Sequence, residues 1–190
     1  MDSWTAVKWT DARQIAEAME MDESDRPSEG VDPRSYYLAL REKGDLDRAI
    51  FYLGQALPRF EAVAWAARLL QNRSRKAKLP PRDRQALDRS LRWLEEPIDE
   101  YRRAAYDAAQ AAGTRSPERL LALAVYTSGG SMAPPDLPPV NPPQEICGKV
   151  AAGAVLTAAF LTDNPAEAKA TALDLGDKVA AEGVKALSSQ

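Results

Sequence analysis

The stretch "LDRAIFYLGQALPRFEAVAWAARLL", residues 46–70, decides the fold class. Leu46, Ile50, Leu53 and Leu57 recur at helical spacing, with Ala49 and Phe51 beside them. Pro58 then ends one helix and begins another, because its ring fixes φ and it has no N–H to continue the first. Beyond it, Phe60, Val63, Ala64, Ala67 and Leu70 form one stripe, and Ala62, Trp65, Ala66 and Leu69 a second. Two apolar stripes predict a helix covered on most sides, deep in the fold.

The same punctuation recurs outward from this pair. Thr10 can cap a helix running to about Met21, and the acidic, broken run MDESDRPSEGV that follows reads as a loop. Asp32-Pro33 and Ser116-Pro117 each place a capping side chain before a proline at the first helical position. Asn164-Pro165-Ala166-Glu167 adds the reciprocal acid of a capping box. Further helices begin near Pro81 and Pro97 and place Leu87, Leu91 and Leu94, then Ile98, Tyr101, Ala105 and Ala108, on single faces. Gln144–Leu161 reads as a buried helix in which Gly148, Ala151, Ala152 and Ala159 permit close approach of a neighbour. No period-2 alternation occurs. The expectation is all-α: one domain over residues 1–190, about nine helices in antiparallel pairs.

Composition excludes most chemistry. The 190 residues contain no histidine, so the commonest general base and transition-metal ligand is missing. One cysteine, Cys147, allows neither an intramolecular disulfide nor a thiolate metal cluster, and its apolar helix predicts an inert buried thiol. Glu95 with Glu96 and Asp99 with Glu100 read as charges around a helix start. No catalytic residue, cofactor or metal is expected, and the chain reads as a non-enzyme. A net charge of -3 argues against a dedicated nucleic-acid binder. The longest apolar run is too short to span a bilayer, and no secretory signal opens the chain, so a cytoplasmic setting is expected.

Two segments remain as candidate partner-binding surfaces. Residues 68–92 hold nine bases against Asp83 and Asp88, and Arg73, Arg75, Lys76 and Lys78 are their centre. A solvated connector, or a patch for an acidic protein, is the expected reading, with the acidic 22–29 loop as an internal alternative. Residues 128–143, SGGSMAPPDLPPVNPP, hold six of the fourteen prolines. Met132, Leu137 and Val140 among prolines, with Asp136 the only charge, predict an ordered strap across the helices, possible stacking partners being Trp65 and Trp93. Pro135-Asp136-Leu137-Pro138 is also a PxxP match of the type read by proline-binding grooves. Met132, Asp136 and Leu137 are its candidate contact residues. Trp4 and Trp9 read as core or as a clamp for the N-terminus, with an exposed anchor as the alternative. A second functional class is a helical bundle holding a small ligand near Tyr36, Tyr37, Trp65 and Tyr101, or an effector-chaperone or immunity-type protein.

The segments LPRFEAVAWA (57–66) and SGGSMAPPDLP (128–138) together resemble an uncharacterised bacterial family. Its members are helical, about as long as this chain, and carry LPRREAVWWA-like and SGGSLAPPDLP-like segments. They are often encoded near type VI secretion components and forkhead-associated domain proteins. The resemblance covers about residues 10–185; Phe60 stands where the pattern has a base, and Ala64 where it has the first of two tryptophans. It implies an accessory or adaptor protein of a secretion locus, with no catalytic residue to carry over.

Overall fold

Three polar side chains start three of the helices in the computed structural model, which describes residues 3–134 and 136–188. Asp32 accepts the backbone N–H of Ser35 at 2.8 Å, Ser116 that of Arg119 at 3.2 Å, and Asn164 that of Glu167 at 3.3 Å. Among the described residues the elements are α1 (Ala12–Ala18), α2 (Pro33–Glu42), α3 (Leu46–Ala56), α4 (Arg59–Lys76), α5 (Pro81–Glu95), α6 (Asp99–Ala111), α7 (Pro117–Thr127), α8 (Ile146–Phe160) and α9 (Pro165–Glu182). Short 3-10 turns occur at Glu23–Asp25 and Gly183–Leu187. The chain is all-helical.

Several boundaries differ from the sequence expectation. Asp11, not Thr10, caps α1: its carboxylate accepts Arg13 N–H and also Gly30 N–H, both at 2.8 Å, and so ties the acidic loop to the helix start. The helix ends at Ala18, two residues before Glu20 turns the chain at φ 60°. In the capping box of α9 the acid Glu167 accepts from the side-chain amide of Asn164 at 3.0 Å.

The core is built around α8, which packs against α3, α4 and α7. Its buried residues cover more than half of its circumference, and Lys149, Gly153, Thr157 and Phe160 share the remaining stripe. At the α3–α8 crossing the backbones touch: a Cβ on Gly54 would lie 2.7 Å from Gly148 O. Gly176 of α9 leaves the space that Leu53 and Trp65 fill. The polar atoms of the buried aromatic side chains Trp65 and Tyr37 are satisfied. Trp65 donates Nε1–H to Ala172 O at 2.8 Å, and Tyr37 donates its hydroxyl to Leu173 O at 2.9 Å. Position 64, with 7% of its area exposed, is interior, so Ala64 and Trp65 form no surface pair.

The N-terminal segment is a clamp. Trp4 donates to Asp177 Oδ1 at 2.6 Å and packs on Tyr37, while Ala6 N–H donates to Ala180 O at 3.0 Å. Trp9 donates to Gln55 O at 3.1 Å.

Helix direction fixes the two ends of the molecule. Cys147 Sγ, in the first turn of α8, lies 3.8 Å from Arg59 O at the start of α4 and 3.4 Å from Ala124 O near the end of α7. At the far end Arg73, in the last turn of α4, meets Glu118 in the first turn of α7. The strap therefore leaves from one end, and residues 73–82 occupy the other. The 11 residues of α7 separate them by about 16 Å.

Candidate functional site

The strap end is held by arginines. Arg102 of α6 is 3% exposed and lies 4.9 Å over the ring of Tyr126. It donates Nη1–H to Tyr126 O and Nη2–H to Ser131 O, each at 2.7 Å, and bonds Asp99 Oδ1 at 2.6 and 2.8 Å. Arg103 bonds Asp99 Oδ2 at 2.7 Å, Ser131 O at 3.1 Å and Ala133 O at 3.0 Å. These bonds are charge-assisted, so two guanidinium forks fix the main chain where α7 gives way to the strap. Hydrogen bonds from Arg103 and Arg102 hold the Asp99 carboxyl below the usual range, against the opposing cost of burial. Gly130 sits at φ 67°, and a Cβ there would meet Arg102 Nε at 3.1 Å, so glycine suits both the turn and the clamp.

The loop then closes on itself. Met132 N–H donates to Val140 O at 2.7 Å, and the hydroxyl of Ser131 accepts Ala133 N–H and Val140 N–H at 3.0 Å each. Tyr126 Oη donates to Met132 O at 2.7 Å. The root is thus ordered, but the apolar side chains do not lie down on the helices as the sequence suggested. Leu137 is 55% and Val140 53% exposed, with Asp136 exposed between them and the root and Met132 half-buried. Trp65 is engaged with α9, and Trp93 packs against Phe60 with ring centroids 5.6 Å apart, so neither receives the strap. The bonds at the root hold the loop upright, which removes the need for its tip to pack. Pro135 of the PxxP match lies outside the described residues.

At the foot of the strap is a cleft of about 310 Å³. Arg59, which donates to Ser128 O at 3.2 Å on one leg of the strap, lines it together with Glu145 on the other. Lys8, Trp9, Gln55 and Gly148 complete its walls. Cys147, beside it, is fully buried, and burial pushes its thiol up to about 12 despite Arg59, as expected of an inert thiol.

The sequence-selected basic residues separate into two groups. Arg73 is not part of an open patch: its Nη2 lies 3.5 Å from Oε1 of Glu118, a residue 1% exposed. Arg75, Lys76 and Lys78 are exposed and form no ion pair among the described residues. The nearby acids are used internally, since Glu118 faces Arg73 and the buried Asp83 accepts Gly113 N–H at 2.8 Å. The acidic loop does not fold onto this end; Glu23 pairs with Arg13 and Arg26, and Asp25 with Arg48. Arg75, Lys76 and Lys78 therefore share no surface with Met132, Asp136 and Leu137. The four aromatic residues of the ligand-pocket expectation do not converge on one cavity: Tyr37 and Trp65 bond adjacent carbonyls of α9, Tyr36 packs on Tyr52, and Tyr101 lies 4.5 Å beneath Arg92.

A model of a family of unknown function, DUF6931, matches residues 36–180. The chain belongs to this family. No curated protein and no solved structure matches it. The DUF6931 span contains the strap, its arginine clamp and Gln55, Arg59 and Glu145 of the cleft. Lys8 and Trp9 come from the preceding segment. Among the described residues no group of three or more acidic or cysteine side chains could hold a metal, and no helix is long and apolar enough to cross a membrane.

Sequence reasoning missed Arg102, Arg103 and Gln55. Arg102-Arg103 interrupts a flank of small apolar residues in α6, and Gln55 is a lone amide in an apolar helix. Each break in pattern was a signal of a buried polar task.

Proposed function

We propose that this DUF6931 protein is a non-enzymatic interaction module that presents the strap to another protein. One observation carries the reading: a loop whose root is fixed by Arg102, Arg103, Ser131 and Tyr126 while Leu137 and Val140 point to solvent. A preformed loop loses little entropy on binding, and its exposed apolar side chains supply the area to bury. Scattered apolar residues need no explanation, but two on one clamped loop of this length are the pattern of a recognition loop. The unpaired Arg75, Lys76 and Lys78 at the opposite end offer a second, electrostatic contact, the arrangement an adaptor needs to engage two proteins at once. The family resemblance supports a cytoplasmic accessory role at a bacterial type VI-like secretion locus.

The test is affinity purification of the tagged protein from its host, with Leu137→Asp/Val140→Asp and Arg75→Glu/Lys76→Glu/Lys78→Glu variants in parallel. The strap variant should lose a specific partner that the wild type retains, and the charge variant should lose a different one. Identical captures by all three proteins would end the reading.

A further inference from the structure

The cleft at the foot of the strap has the donors and acceptors of a small binding site. Its volume, about 310 Å³, lies at the small end of the roughly 300–1,000 Å³ range of ligand sites. Gly54 and Gly148, whose backbones touch at the α3–α8 crossing, form part of its wall. Trp9 is pinned at its wall by the bond from Nε1–H to Gln55 O at 3.1 Å.

Gln55 is 7% exposed, and its Nε2 donates to Glu145 O at 2.6 Å. A carbonyl only accepts, so the amide orientation is fixed. Its Oε1 is left without a donor among the described residues, in a side chain that lines the cleft. An acceptor that keeps open surface beside the cleft can take an N–H from whatever fills the space. The charge is complementary to an acid: Lys8 forms no ion pair among the described residues, and Arg59 uses one of its N–H groups on Ser128 O. The first-turn N–H groups of α4, which has no side-chain cap, add to the positive end. Glu145 is the one carboxylate of the lining, against two cations.

We propose that this cleft binds the carboxyl terminus of a peptide with an apolar last residue. The carboxylate meets Lys8 and Arg59, the last peptide N–H donates to Gln55 Oε1, and the side chain rests on Trp9. A free acylated amino acid presents the same carboxylate, amide N–H and apolar side chain. The peptide is chosen because the inference rests on the protein-interaction reading for its source; the site itself stands on the cleft alone.

Proton–nitrogen correlation spectra of the full chain, titrated with acetyl-Ala-Ala-Leu, its carboxyl-terminal amide and acetyl-leucine, test this. The acid tripeptide should shift the Trp9 indole N–H and the Gly148 amide in a saturable way. Blocking the carboxylate as the amide should weaken binding about tenfold, the worth of one charge-assisted hydrogen bond. Lys8→Glu should weaken it similarly, Glu145→Gln should tighten it, and acetyl-leucine should bind less well than the tripeptide. Equal binding of acid and amide, no effect of Lys8→Glu, or no shift at millimolar peptide would overturn the site. Acetyl-leucine binding as tightly as the tripeptide would overturn the peptide assignment. Leu137→Asp/Val140→Asp should leave the titration unchanged, so the strap reading and the cleft fail separately.

Discussion

The two ends of the bundle put most of their basic residues to different uses. At the strap end Arg59, Arg102 and Arg103 reach main-chain carbonyls of Ser128, Tyr126, Ser131 and Ala133. At the other end Arg75, Lys76 and Lys78 face water, while Arg73 pairs with Glu118 and Arg84 donates to Ser74 O at 3.3 Å. The contrast teaches that a run of basic residues is a poor guide to where charge is structural. The dense run 68–92 is mostly solvated, whereas the inconspicuous pair Arg102-Arg103 organises the longest connection in the chain.

That contrast can be broken by substitution. Arg102→Ala should cost the most, on the order of 3 kcal/mol, because it leaves Tyr126 O without its buried donor, takes one of two arginine donors from Ser131 O and removes the partner of Asp99 Oδ1. Urea unfolding would measure it, and a loss under about 1 kcal/mol would remove the clamp from the account. At the basic end the buried pair should behave like the strap end and not like its own neighbours. Glu118→Ala should cost about 2 kcal/mol by leaving Arg73 without a counter-charge. A cost indistinguishable from zero would place Arg73 with the solvated residues instead.

Acid should separate the ends further. The Asp99 carboxyl is held below its ordinary value, so its contribution is complete above the unfolded value of about 3.9 and disappears as pH falls through the folded value. The stability gap between wild type and Asp99→Asn should therefore narrow from pH 6 to pH 3. Because 58% of that side chain is exposed, solvent screening keeps the gap small. A gap that widens toward acid would reverse the sign of this account. The smallest effect belongs to Arg75→Glu/Lys76→Glu/Lys78→Glu, expected to change stability by less than about 0.5 kcal/mol. A larger change, read by the same unfolding curves, would mean these cations have internal partners.

Much of the fold was legible because its signals are local. Asp32-Pro33, Ser116-Pro117 and Asn164-Pro165 announce helix starts within four residues, and Gly148 among alanines announces a close crossing. The candidate site was only half legible. Ser131 and the prolines of the strap stand out, but the residues that hold them do not: Arg102 lies 29 positions from Ser131. Arg73 and Glu118 are likewise far apart in the chain, and nothing in either neighbourhood points to the other. The expectation that the strap lies across the helices failed for a related reason. Apolar side chains in a loop suggest burial, but the arginine bonds at the root supply the order that burial would otherwise have to provide.

The most direct test of the account is native-state hydrogen exchange at the strap. The amides of Met132, Ala133 and Val140 donate to Val140 O and Ser131 Oγ and should be protected nearly as well as the last turn of α7, while Asp136 exchanges freely. Unprotected exchange at Met132 and Val140 would make the segment a flexible linker and remove the basis for reading it as a presented surface.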